Sequence, residues 1–120
     1  MSASKVLVVD DSPVELANLK TIVEGAGYQV ITASNGSEAL DKAKYFRPDV
    51  IFMDVVMEGV DGFEACRTIT RDQCTSKIPI FFVTSKNQKA DRLWGELQGG
   101  KGMITKPYTP DQILKTIAAV

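Results

Sequence analysis

Three aspartates, two hydroxyl residues and one lysine stand at the ends of short apolar runs. Asp10 and Asp11 follow "KVLVV", Asp54 follows "DVIFM", Thr84 and Ser85 follow "IPIFFV", and Lys106 follows "GMIT". Adjacent carboxylates such as Asp10 and Asp11 repel, by about 4 kcal/mol at ~4 Å and an effective dielectric near 20. Burying either without a partner adds to that cost. A hard divalent cation bound through oxygens would cancel it, and Mg²⁺ takes one or two carboxylates directly while keeping open positions. Lys106 supplies a second positive charge. A metal among carboxylates with a lysine and a hydroxyl nearby suits acceptance of a phosphoryl group. The cations neutralise its equatorial oxygens while a carboxylate attacks.

These residues must be brought together by strands and helices. Short apolar runs alternate with longer amphipathic segments, the pattern of repeated β-α units around a parallel sheet. The pattern predicts strands over Lys5–Val9, Gln29–Ala33, Asp49–Met53, Ile78–Val83 and Gly102–Thr105. Three are almost wholly apolar, as suits strands covered on both faces. Ser12 and Pro13 read as N-cap and first residue of a helix that Gly25 and Gly27 close. Asn35 with Glu38 resembles a capping box opening a second helix that ends near Phe46, before Pro48. Further helices are predicted over Gly62–Arg71, over Gln88–Gln98, and from Thr109, with Pro110 first and Gln112 closing its box. In open parallel sheets the site lies beyond the carboxyl ends of the strands, at a switch in strand order. All six chemistry-bearing residues fall on that edge.

At 120 residues the chain has the size of one domain, and it carries 14 basic and 15 acidic residues, a net charge of −1. That balance speaks against a nucleic-acid or membrane-surface protein. With no histidine in the sequence, His-based zinc sites and triads with a histidine base are excluded. No apolar run approaches the ~20 residues of a membrane span, and the N-terminus lacks the apolar core of a signal peptide. Cys66 and Cys74 form no framework; two reduced thiols fit a cytoplasmic setting. Cys66 is expected to face the core and Cys74 to be exposed. A single domain over 1–120, ending with the fifth helix and carrying no output domain, is the expectation.

"VVDDS", "DVIFMDVVMEGVDGFE", "FFVTS" and "MITKPY" together resemble the receiver domain of two-component response regulators over the whole chain. The resemblance implies a flavodoxin-like α/β fold, a doubly wound five-stranded parallel sheet of (βα)5 type. It implies that Asp54 accepts a phosphoryl group from a histidine kinase, with Mg²⁺ held by Asp11 directly, Asp10 mainly through water, Asp54, and the backbone carbonyl of Val56. Thr84, and Lys106 before a cis-type Pro107, would contact the phosphoryl oxygens. Output would pass to a separate effector through the face of helix 4, strand 5 and helix 5, or the protein would be a phosphate sink. "LVVDDSP", "TSK", "RLWGELQGG" and "ITKPY" are similar to single-domain receivers of twitching-motility, chemotaxis-like pathways.

Several positions depart from the family pattern or carry two readings. Glu58 replaces a frequent proline and reads first as a tolerated loop substitution, with a less stiff loop as the other reading. Met103 stands where the family usually places an aromatic, so its coupling to Thr84 is expected to be weaker or differently reported than in aromatic members. Val56 and Lys86 flank the attacking-water route, which implies slow to moderate loss of the phosphoryl group. Trp94 reads either as a partner anchor or as a half-buried structural residue. The basic residues Lys77, Lys86, Lys89, Arg92, Lys101 and Lys106 read as a solvated face, with docking of an acidic partner as the other reading. A Mg²⁺-dependent phosphatase with an aspartyl nucleophile is the alternative function. Val56, where such enzymes commonly carry a second acid, weighs against it. A flavodoxin-like nucleotide carrier is disfavoured because "DDSP" would repel a phosphate.

Overall fold

Residues 4–120 are described by a computed structural model. Five strands and five helices alternate: β1 (Lys5–Val9), α1 (Pro13–Gly25), β2 (Gln29–Ala33), α2 (Gly36–Phe46), β3 (Val50–Met53), α3 (Gly62–Arg71), β4 (Ile80–Thr84), α4 (Lys89–Leu97), β5 (Gly102–Thr105) and α5 (Pro110–Ala118). All strand pairs are parallel and the order is β2-β1-β3-β4-β5. This is the doubly wound, flavodoxin-like sheet that the resemblance implied. The order reverses between β1 and β3, which places a crevice above their carboxyl ends.

Alternating side chains along each strand divide the core into two layers. Val6, Val8, Val50, Phe52 and Val83 face Leu19, Val23, Ile113 and Ile117 of α1 and α5. Leu7, Val9, Ile51, Met53, Ile80 and Phe82 face Ala39, Ala43, Phe63, Cys66 and Ile69 of α2 and α3. Burial falls toward one edge: every residue of β3 is buried, whereas every residue of β5 is half-buried.

The helix starts follow the sequence signals. The Ser12 hydroxyl accepts from Glu15 N–H, Asp61 from Glu64 N–H at 2.8 Å, and Thr109 and Gln112 close a reciprocal box. Asn35 accepts from Glu38 N–H at 2.8 Å, but Glu38 returns its carboxylate to Ser34 N–H and not to Asn35. The box is therefore displaced by one residue.

Three strand limits also differ from the sequence reading. Ile78 and Pro79 stay outside β4 because Ile78 N–H turns back to the Thr75 carbonyl at 3.1 Å. Thr84 is the last residue of β4, paired with Thr105, and does not follow the strand. Asp49 precedes β3; its carboxylate accepts from the backbone N–H groups of Ser4 and Lys5, both at 2.9 Å, and fastens the two strand starts together.

Candidate functional site

Register assembles the site. Val9 pairs with Met53, so the next residues, Asp10 and Asp54, stand level on adjacent central strands. Asp10 N–H donates to Ala33 O and Asp54 N–H to Val9 O, continuing the ladder to the acids themselves. Across the sheet, Lys106 N–H donates to Thr84 O at 2.9 Å, and the Lys106–Pro107 bond is cis.

The Lys106 ammonium lies 3.0 Å from Asp10 Oδ2, 3.2 Å from Asp54 Oδ2 and 2.9 Å from Glu15 Oε2. The second oxygen of each aspartate is held by the backbone: Asp10 Oδ1 accepts from Ser12 N–H at 3.0 Å, and Asp54 Oδ1 from Val55 N–H at 2.7 Å. Asp10 is 6% exposed. Burial raises its pKa, opposed by the Ser12 N–H and Lys106 and reinforced by the Asp54 charge. Burial alone would lower Lys106. Hydrogen bonds to Glu15 and Asp10 and the charge of Asp54 outweigh it, so the ammonium is held well above its ordinary value.

The remaining expected site residues stand close by without joining this cluster. Asp11 is exposed, and its Oδ2 accepts from Glu58 N–H at 3.2 Å. Thr84 is fully buried, and its hydroxyl accepts from Lys86 N–H at 3.3 Å. Val56 lies in the β3–α3 loop with its side chain exposed. Among the described residues no three carboxylates converge on one point as metal ligands, because Lys106 draws in Asp10 and Asp54 while Asp11 turns to Glu58. The donor set still fits a hard cation. Asp10, Asp11 and Asp54 are all oxygen donors on the same sheet edge, the ligand type such a cation takes.

Gly62 fixes the approach of α3 to this edge. Its N–H donates to Val55 O, and a Cβ there would overlap the carbonyl oxygen of Asp54. Only glycine lets the helix start so near the acid's backbone.

Met103 is half-buried and lines a cavity of about 110 Å³ with Phe82, Arg92, Gly95, Glu96, Gly100 and Gly102. Trp94 is half exposed on α4. The basic face is smaller than the sequence suggests: Lys106 belongs to the acid cluster, Lys86 approaches Asp91 at 3.9 Å, and Arg92 donates to Thr105 Oγ1. Glu15 escaped the sequence reading. A Glu three residues after a Ser N-cap looks like a capping residue, and nothing local shows that it reaches Lys106.

The fold agrees with comparison to known proteins. A family model described as the response regulator receiver domain matches residues 6–118, and the chain belongs to that family of two-component signalling proteins. It is 44% identical over 117 residues to Protein PilH of Pseudomonas aeruginosa, covering 98% of this chain and 97% of that protein. Protein PilG of the same organism is 32% identical over 96% of this chain and 85% of its own length. Among solved structures, the chemotaxis protein CheY4 of Vibrio cholerae superposes with a TM-score of 0.93 at 35% identity, over 99% of both chains.

Proposed function

We propose that this receiver is a phosphoryl-accepting switch, with Asp54 as acceptor, a histidine kinase as donor and a separate protein as effector. The observation that carries the reading is the Asp54 carboxylate, level with Asp10 and in contact with the Lys106 ammonium at the topological switch of the sheet. An Asp54 Oδ attacks phosphorus, the bond to the donor's imidazole nitrogen breaks, and its electron pair stays on that nitrogen. Lys106, already held at the attacking side chain, passes to a phosphoryl oxygen. Val55 N–H keeps the carboxylate oriented through Oδ1. Asp10, Asp11, Asp54 and the Val56 carbonyl would hold Mg²⁺, whose charge would neutralise the phosphoryl oxygens in the reaction.

Thr84 connects the site to output. Turning its hydroxyl to a phosphoryl oxygen releases Lys86 N–H, and Lys86 lies three residues before α4. The β4–α4 loop and the α4–β5 face then change together. Likeness to PilH, PilG and a chemotaxis protein supports a role in pilus or chemotaxis-like signalling. The same chemistry would serve a phosphate sink, and two free thiols fit a cytoplasmic protein reached by a kinase. The apolar, exposed Val56 offers no acid–base group, which weighs against the phosphatase.

Intact mass after incubation with acetyl phosphate tests this reading. A Mg²⁺-dependent gain of one phosphoryl group, absent in Asp54→Asn, is the expected result. No gain in any condition overturns it.

A further inference from the structure

We propose that Glu15 is a positioning residue that restrains the switch by withholding Lys106 from the phosphoryl group, an inference that rests on the phosphoacceptor reading of Asp54. Three carboxylates compete for one ammonium in this structure, and Glu15 makes the shortest contact, 2.9 Å against 3.0 Å for Asp10 and 3.2 Å for Asp54. Two come from strand ends of the central sheet. The third is contributed by the first turn of α1.

The diversion of Glu15 from its ordinary task is written into the backbone. Ser12-Pro13-Val14-Glu15 has the spacing of a capping box, in which the glutamate would accept the N–H of the N-cap serine. The first half of that box exists, because Glu15 N–H donates to Ser12 Oγ. The second half cannot form, since Ser12 N–H is taken by Asp10 Oδ1 at 3.0 Å. The Glu15 carboxylate is left to reach across to β5, and Lys106 is the cation it meets. Asn18, one turn on, donates to the Tyr108 hydroxyl at 3.1 Å and holds α1 against the segment after Pro107. Glu15, Asn18, Lys106, Pro107 and Tyr108 line one surface groove.

A phosphoryl group on Asp54 needs Lys106 for itself. Phosphorylation replaces a singly charged carboxylate by a group of nearly two negative charges, and the ammonium is the protein's own counter-charge there. The ammonium has three N–H donors, and the one that Glu15 holds is withheld from the new oxygens while that contact stands. Glu15 is 43% exposed, so its direct repulsion of the phosphoryl group is screened by water. Its contact with the lysine, whose side chain is only 18% exposed, is screened less. Glu15 therefore lowers the population of the phosphorylated form through Lys106.

The test compares wild type, Glu15→Gln, Lys106→Met and the double variant, all with saturating Mg²⁺. Glutamine keeps the size and hydrogen-bonding reach of glutamate and removes only the charge, so a purely structural role would survive it. Calorimetric titration with beryllium fluoride, which adds to an aspartate as a phosphoryl mimic, reads the equilibrium directly. Glu15→Gln is expected to bind it three- to tenfold more tightly, tenfold being ~1.4 kcal/mol. In the Lys106→Met background the same change is expected to leave affinity within twofold. Equal affinity of wild type and Glu15→Gln, or an undiminished gain without Lys106, overturns the inference. Acetyl phosphate labelling of the wild type is run alongside. Mass gain there with no effect of Glu15→Gln sinks the Glu15 role alone, whereas no mass gain sinks both readings.

Discussion

Asp10 and Asp54 occupy matching positions on β1 and β3, one residue past the paired Val9 and Met53, and share the ammonium of Lys106. The repulsion implied by clustered acids in the sequence is thus met by a lysine arriving from the far edge of the sheet. Lys106 to methionine removes that cation and leaves Asp10 buried beside Asp54. Breaking a fully buried pair costs about 3–5 kcal/mol; the partial exposure of Lys106 lowers the expectation to about 1–3 kcal/mol. Urea unfolding at pH 7 measures it, and added Mg²⁺ is expected to restore part of the loss.

Gly62→Ala tests the close approach of α3. The new Cβ collides with backbone and not with a flexible side chain, so relief requires moving the loop that carries Asp54. Overpacking of this kind costs about 1–3 kcal/mol. Phosphorylation by acetyl phosphate should slow at least about tenfold, a consequence expected of a misplaced nucleophile. Normal labelling with normal stability would show that the loop yields freely.

Asp49 gives a pH signature away from the site. Backbone N–H groups of Ser4 and Lys5 hold its carboxylate below the ordinary value of 3.8. A lowered folded value stabilises the protein above the unfolded pKa, and that stability is lost as pH falls through the folded value. Asp49→Asn is expected to cost about 0.5–1 kcal/mol at pH 7, well under the 1.5–3 of a buried charged hydrogen bond because Asp49 is exposed. Stability curves of the two proteins should converge as pH falls through the lowered pKa of Asp49.

The two cysteines differ in environment. Cys66 is buried, its thiol donates to Gln98 O at 3.4 Å, and burial pushes its pKa up to about 12. Cys74 is exposed. A disulfide reagent at pH 8 should titrate one thiol in the native protein and two in urea, since the thiolate is the reacting form. Two fast thiols in the native state would mean that α3 opens readily.

Much of this was legible because sequence and structure use the same signals. Apolar runs became the strands, Ser12, Asn35 and Thr109 became caps, and the residues ending the runs converged where parallel sheets place their sites. What escaped depends on side-chain choices made in three dimensions. Glu15 could not be separated from a capping glutamate until Asp10 was seen to hold Ser12 N–H. Asp11 turns to Glu58 N–H, and Thr84 to Lys86 N–H, both backbone donors in irregular loops that carry no periodic signature. The start of β4 was misread because the hydrophobicity of Ile78 resembles that of a strand residue, while its N–H closes a turn.

The half-burial of β5 has a mechanical consequence. As an edge strand it is paired on one side only, with β4, whereas β1 and β3 are flanked on both sides. Local opening follows buried contact and protected backbone bonds, so amide protons of β5 should exchange with solvent well before those of β3. The carboxylates are therefore set in the part of the molecule that stays still, and the lysine rides on the part that breathes. A charge arriving at Asp54 therefore meets a lysine anchored beside the least buried strand of the sheet.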